Sequence, residues 1–275
     1  MNWTDQAIWW HVYPLGFTGA PIRVEDHGDR PWEAVRLPQL MNWLDYAVAL
    51  GCNGILLGPI FQSTSHGYDT TDYFKIDPRL GDNTDFDDLV AACKERGIRI
   101  LLDGVFSHVG SENPLLESAL TSGEGSKEAA LFDVDYSDPA NPKLQVWEGH
   151  GNLVRFKHSA HETREFVASV MKFWLEKGID GWRLDAAYSV PTEFWHQVLA
   201  DVRNDFPDCW ILGEVIHGDY AKFVEESGVN SVTQYELWKA IWSALRDENL
   251  FELDWTVRRN NELLDVFLPN TFVGN

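Results

Sequence analysis

Short runs rich in β-branched and aromatic residues alternate with longer amphipathic runs along the whole chain. This alternation narrows the fold more than any other feature. The strand-like runs cover 8–13, 54–57, 98–103, 181–185, 210–214, 229–234 and 271–273. Helical periodicity covers 37–50, 85–96, 162–177, 192–206, 220–226, 237–249 and 254–264. Strict strand–helix alternation builds parallel βαβ units, and apolar strands bounded by polar loops imply a sheet covered by helices. Two architectures compete. A doubly wound nucleotide-binding sheet wants a glycine-rich turn after its first strand. Here Val12-Tyr13 runs into Pro14-Leu15-Gly16-Phe17, and the chain has neither GxGxxG nor GxxxxGKS. A barrel instead collects polar residues at the C-terminal ends of its strands. Asp103, Asp185 and Glu214 end the third, fourth and fifth runs. The sequence therefore predicts a parallel (β/α)8 TIM-type barrel.

The rhythm breaks once. From 104 to 158 the chain has no clear regular element and is rich in Ser, Gly, Pro, Asp and Asn. A connection that long is uncommon as a plain loop, so it reads as a small subdomain on the catalytic face. The expected organisation is a barrel from 1–103 and 159–275 with an excursion at 104–158. Eight βα units of roughly 30 residues plus this excursion exceed the 275 residues present. The barrel is thus expected to hold about strands one to seven, its open edges either covered by a partner chain or symmetry mate or left by a cut through a longer chain.

The net charge of −21, from 43 acidic and 22 basic residues, argues against nucleic acid and anionic membranes, since both reward positive charge. Neutral sugars carry no such penalty. Thirteen tryptophans suit pyranose stacking, although core packing accounts for most such residues. No apolar run approaches the roughly 18 residues of a membrane span, and MNWTDQAIWWHVYP lacks the basic region and cleavage site of a signal peptide. Cys52, Cys93 and Cys209 form no CxxC pair, so they read as reduced thiols and the cytoplasm as the expected location.

The chemistry-bearing residues lie at the strand ends. In GIDGWRLDAAYSV, Arg183 and Asp185 are two apart and share one strand face. They are either a buried ion pair kept for packing or part of a reactive centre; buried pairs stabilise weakly, which favours the centre. Glu214, in WILGEVIHG, lies one βα unit later, and adjacent parallel strands are about 4.8 Å apart. Two carboxyls about 5–5.5 Å apart are what a retaining glycosidase needs, one as nucleophile and one as acid/base. Arg183 is expected to keep Asp185 ionised, and Glu214, with no basic neighbour in sequence, suits the acid. Asp103 can steady Arg183 through a charge-assisted hydrogen bond. His108, just beyond Asp103, is either structural or catalytic. Tyr68, in STSHGYDTTDYFKIDPRLG, is suited to sugar stacking or to plain packing. Asp69, Asp72 and Asp77 suit turns and caps better than a cation site.

Taken in order, HGYDTTDY, DGVFSH, GWRLDAA and GEV resemble the α-amylase family, glycoside hydrolase family 13, over essentially the whole chain. The resemblance implies Asp185 as the nucleophile forming a β-glycosyl-enzyme, Glu214 as acid/base, and Arg183 as the residue orienting the nucleophile. It implies His108 and Tyr68 as contacts of the sugar at the −1 subsite, and the excursion as the family's domain B. The chain also departs from the family. The third-strand motif is usually DxVxNH, and Ser107 stands where that asparagine often binds calcium. This argues against calcium, and no other cofactor is expected. Tyr188-Ser189 replaces the Lys-His of many α-amylases, and NLVRFKH is closer to cyclomaltodextrinase-type enzymes than to oligo-1,6-glucosidases. Short α-1,4-linked glucans are the expected substrates. The final Phe272-Val273-Gly274-Asn275 resembles the start of the family's F-V-x-N-H-D motif, which implies a catalytic region cut before its third carboxylate. A non-catalytic sugar-binding module and a trehalose-forming isomerase stay open as alternatives.

Overall fold

The computed structural model describes residues 3–26, 28, 31–272 and 274. Six strands form one parallel sheet: β1 (Trp9–Val12), β2 (Gly54–Leu57), β3 (Arg99–Gly104), β4 (Gly181–Leu184), β5 (Trp210–Gly213) and β6 (Ser231–Val232). They neighbour one another in chain order, β1 to β6. A doubly wound sheet reverses its order at a switch point, and this sheet does not, so the architecture is an open, incomplete (β/α)8 barrel. Beyond β6, Asn270 bridges Thr233 in parallel. Its N–H donates to Val232 O at 3.0 Å, and its carbonyl accepts from Gln234 N at 2.9 Å. Pairing of the last predicted strand therefore begins one residue early, and its Val273 lies outside the described residues.

The helices follow their apolar periodicity with small shifts at the ends. Asn83–Glu95 starts before the predicted position because Asp82 and Asp85 cap it reciprocally: Asp82 accepts from Thr84 N and Asp85 N, and Asp85 accepts from Asp82 N at 2.8 Å. The predicted run 37–50 is two short helices, Leu37–Met41 and Leu44–Ala49, separated at Asn42-Trp43; asparagine favours turns over helix interiors. His161–Glu176, Thr192–Asp205 and Tyr220–Ser227 cover the outside of the sheet, followed by the hairpin of Tyr235–Asp247 and Phe251–Leu263. Trp174, Trp182 and Trp195 are fully buried in that outer layer. No described helix is long and apolar enough to cross a membrane.

The excursion is more regular than its composition suggests. It holds a helix, Pro114–Ser122, capped by Asn113 with Pro114 at its first position, and two antiparallel pairs. His108–Gly110 pairs with Leu153–Arg155, and Val134–Asp135 with Lys143–Leu144. Strands of two or three residues are too short to display a period, which is why the sequence hides them. A second hairpin, Phe61–Ser63 with Thr70–Ile76, carries Tyr68 in its loop.

Register decides what faces the inside. Arg183 pairs with Asp103 on one side and Leu212 on the other, so these three share the inner face. Leu56, Leu101 and Leu212 form the inner apolar cluster, while Trp182 and Leu184 join the outer core. Counting on by two from Arg183 and Leu212 brings Asp185 and Glu214 to the same inner face. Gly181 permits this close pairing, since a Cβ there would lie 1.9 Å from Trp210 O.

Candidate active site

Three of the residues singled out in the sequence, Asp103, Asp185 and Glu214, converge on the guanidinium of a fourth, Arg183. Arg183 Nη1 donates to Asp103 Oδ1 at 2.7 Å and to Asp185 Oδ1 at 2.6 Å, and Nη2 lies 2.7 Å from Glu214 Oε1. Glu214 therefore does have a basic neighbour, reached across the sheet rather than along the chain. Its Oε1 also accepts from Tyr235 Oη at 2.9 Å, and its Oε2 from Ala186 N at 2.9 Å. Asp103 is 1% exposed, and its Oδ2 has no hydrogen-bond partner.

Three carboxylates on one cation leave the centre short of positive charge. Burial pushes Asp185 up to about 6 and Asp103 up to about 7, in each case against the pull of Arg183 and with neighbouring carboxylates adding to the rise. Arg183 pulls the Asp185 pKa down, the direction in which a cation keeps a carboxylate ionised, but burial outweighs that pull. For Arg183 itself burial opposes the charge, but the carboxylates more than offset it and hold the guanidinium firmly protonated.

His108 and Tyr68 meet beside this cluster. His108 Nε2 lies 2.9 Å from the carbonyl oxygen of Tyr68, and Nδ1 lies 2.8 Å from Ser107 Oγ. A carbonyl only accepts, so Nε2 carries the proton and Nδ1 accepts from the Ser107 hydroxyl. Burial lowers the His108 pKa to about 4, so the ring is neutral. With both nitrogens engaged, His108 holds the Tyr68 loop, and a sugar hydroxyl would have to compete for Nε2. Burial and then the charge of Asp103 raise the Tyr68 pKa, and Asp185 and Glu214 add to the rise; the phenol therefore stays neutral beside the cluster.

The same bond tests the family's calcium. Ser107 is 2% exposed, with its hydroxyl committed to His108, and among the described residues no group of three or more His, Cys, Asp and Glu could hold a metal ion. The residues present do not fit a calcium site here. Asp69, Asp72 and Asp77 are engaged locally. Asp69 accepts from Ser65, Asp72 pairs with Lys75 at 2.8 Å, and Asp77 pairs with Arg79 at 2.6 Å and accepts from Ser63.

Several residues around the centre carried no local signal. Tyr235 opens the helix after β6, too far along the chain from Glu214 to suggest contact. Trp147 and Glu148, in the excursion, reach across to the turn after β4. Trp147 Nε1 donates to Ser189 Oγ at 3.2 Å, Tyr188 Oη donates to Glu148 Oε1 at 3.0 Å, and the Trp147 and His108 rings lie 5.0 Å apart. His11 was not singled out in the sequence, although alternation along β1 puts it on the inner face with Trp9. It lines a cleft of about 660 Å³ with Leu56, Arg183, Leu212, Tyr235 and Asn270. The enclosing walls lower the His11 pKa, with Arg183 adding to the effect. The cleft is the barrel interior, open between β1 and the segment after β6.

Residues 37–265 match the family described as "Alpha amylase, catalytic domain". A cyclomaltodextrinase from a Bacillus species is 32% identical over 256 residues, covering 87% of this chain and 46% of that protein. The intracellular maltogenic amylase of Bacillus subtilis is 32% identical over 228 residues, covering 78% of this chain and 39% of that protein. The chain thus spans under half the length of these curated relatives. Among solved structures, the ligand-free cyclic α-maltosyl-(1→6)-maltose hydrolase of Arthrobacter globiformis superimposes with a TM-score of 0.84 at 25% identity, covering 100% of this chain and 66% of that one. The chain belongs to the α-amylase family.

Proposed function

We propose that the chain is the catalytic part of a retaining α-glycoside hydrolase or transglycosylase for short α-1,4-linked glucans, both maltooligosaccharides and cyclodextrin-like rings. The observation that carries this reading is Arg183 binding Asp185 through one nitrogen and Glu214 through the other, which keeps both carboxylates within reach of one sugar ring. Asp185 attacks the anomeric carbon as the glycosidic C–O bond breaks, and the leaving oxygen takes a proton from Glu214. Glu214 must be protonated for this step; with Arg183 and Tyr235 on Oε1, a protonated Oε2 can donate to the leaving oxygen while still accepting from Ala186 N–H. In the second half, water or a sugar hydroxyl gives its proton to the Glu214 carboxylate. Its oxygen bonds to the same carbon, and the Asp185 carboxylate leaves, with net retention. Asp103 anchors Arg183. Tyr68 offers its ring to the sugar at the reacting position, and His108 meets that sugar through Nε2 or supports it through the Tyr68 loop.

The names of the relatives favour this substrate class over an unrelated glycan. We read 1–103 and 159–275 as the barrel and 104–158 as a domain of its own, supported by the helix and antiparallel pairs within it. We also read the seam between β1 and β6 as covered by further polypeptide, a partner chain or a symmetry mate. The cytoplasm is the location most compatible with three free cysteines and with the intracellular Bacillus relative. The test is proton NMR of the first product released from maltotriose and from β-cyclodextrin by the full-length protein. The α-anomer is expected first. A β-anomer first would mean inversion, a non-reducing α,α-1,1-linked isomer of maltotriose would mean the isomerase, and a folded protein that binds but does not cleave would mean the binding module.

A further inference from the structure

The turn after Asp185 contains a residue in a conformation its own side chain disfavours. Ala186 has φ 44° and ψ 38°, the left-handed region in which Cβ crowds the following carbonyl and glycine is the usual occupant. It is also 3% exposed, so no solvent-facing loop accounts for it. The turn is fixed on both sides. Asp185 N donates to Gly104 O at 3.0 Å, Tyr188 N to Glu214 O at 3.2 Å, and Ser189 N to Ala186 O at 2.9 Å. Ser189 Oγ donates to Ala186 O at 2.8 Å and Trp195 Nε1 to Ala187 O at 3.1 Å. Backbone strain persists only where the surroundings over-determine it, and it gathers at functional sites.

The conformation turns one group in a useful direction. Ala186 N–H points back into the mouth and donates to Glu214 Oε2 at 2.9 Å, while Arg183 and Tyr235 both engage Oε1. Two donors on one oxygen and one on the other fix the plane of the carboxyl group, and a dihedral change at Ala186 would release only the Oε2 side.

We propose that Ala186 is a positioning residue, whose left-handed backbone holds its N–H on Glu214 and so sets the angle at which that carboxyl group meets the leaving oxygen. This rests on the reading of Glu214 as the acid/base. The plainer alternative is that a tight turn strains Ala186 and its N–H takes the nearest acceptor, in which case the turn matters to folding alone.

The first arm compares Ala186→Gly with Ala186→Val in the full-length protein, using maltotriose and checking each fold by circular dichroism and thermal melting. Glycine accepts the left-handed region and a β-branched residue resists it. The valine variant is expected to lose about tenfold more kcat than the glycine variant, with KM within about threefold, as for one charge-assisted hydrogen bond. Equal kcat values, or a loss confined to melting temperature, overturn the proposal. Because the valine variant can fail to fold, the second arm follows the Ala186 amide in the full-length protein after selective ¹⁵N-alanine labelling. Its hydrogen exchange is expected to quicken about tenfold in Glu214→Ala and to stay near the parent rate in Glu214→Gln, whose side-chain oxygen still accepts. An unchanged rate in Glu214→Ala overturns the proposal. If the parent protein folds but cleaves no α-glucan, the proposed function falls and the amide arm alone decides the part played by Ala186.

Discussion

The two faces of the sheet are built on different principles. Outside, Trp174, Trp182 and Trp195 lie fully buried in one apolar cluster that runs from the N-terminal helices into the excursion. Phe61 stacks on Trp174 at 5.0 Å, and the Trp174 indole donates to Tyr73 O at 2.8 Å. Inside, the apolar cluster is Leu56, Leu101 and Leu212 with Trp9 and Trp210 beside them, and above it stand three carboxylates and one guanidinium. The outer face hides apolar area, which drives folding. The inner face buries charge that is incompletely neutralised, which folding disfavours. The comparison therefore assigns stability to one side of the sheet and chemistry to the other, and substitutions can be chosen to separate them.

The largest expected effect lies inside. Asp185→Asn removes the group proposed to bond to the anomeric carbon, and kcat should fall on the order of 10⁴-fold, as losses of covalent nucleophiles do. The same change takes one negative charge from a crowded buried site, so the urea midpoint should hold or rise. A fall in both kcat and stability would break the division between the faces. On the outer face, Trp174→Ala should cost about 3–5 kcal/mol of unfolding free energy through the cavity it leaves. The kcat of the molecules that remain folded should be nearly unchanged. Urea unfolding beside active-site titration checks both halves of that statement.

The pH dependence sharpens the contrast further. As the proposed nucleophile, Asp185 can act only as a carboxylate, and burial raises it to about 6, so kcat/KM should fall tenfold per unit as pH drops below about 6. Stability should move in the opposite sense. Asp103 and Asp185 both titrate above the ordinary carboxylate value near 4, so the folded state retains protons that the unfolded chain releases. Their contribution is therefore most favourable below about pH 4 and is lost as pH rises through about 6 to 7. Asp103→Asn should gain stability relative to the parent between pH 5 and pH 8. Parallel urea curves at the two pH values, with a constant gap between the proteins, would sink this account.

How much of this was legible in the sequence depends on the distance over which a signal acts. The barrel and its inward residues were readable, because strand alternation has a period of two and the spacing from Asp185 to Glu214 is one βα unit. His11 was missed, although the same alternation would have found it. Arg183 reaching Glu214 was not readable, since it depends on the side-chain rotamers that span the two strands. Tyr235 and Trp147 were out of range as well: each arrives at the centre through a turn of the fold rather than through a pattern along the chain. The left-handed backbone of Ala186 left no trace either, because the residue that usually advertises that conformation is glycine.

The smallest effect is expected at the departure from the family's third-strand motif. Ser107 donates to His108 Nδ1, which fixes the tautomer whose Nε2–H holds the Tyr68 carbonyl. Ser107→Ala leaves a buried acceptor without its donor, which typically costs about 1–3 kcal/mol. It also frees the ring to put its proton on Nδ1, and Nε2 would then repel the Tyr68 carbonyl instead of holding it. The Tyr68 loop should loosen, raising KM a few-fold while kcat barely moves, because in the proposed mechanism His108 acts on the sugar's seat and not on the reacting bond. Since Ser107 is spent on this bond, neither calcium nor a chelator should shift the melting temperature of the parent. A chelator-induced drop would mean that the Ser107 hydroxyl, or a group near it, binds metal after all. The tautomer lock would then be the secondary part of its role.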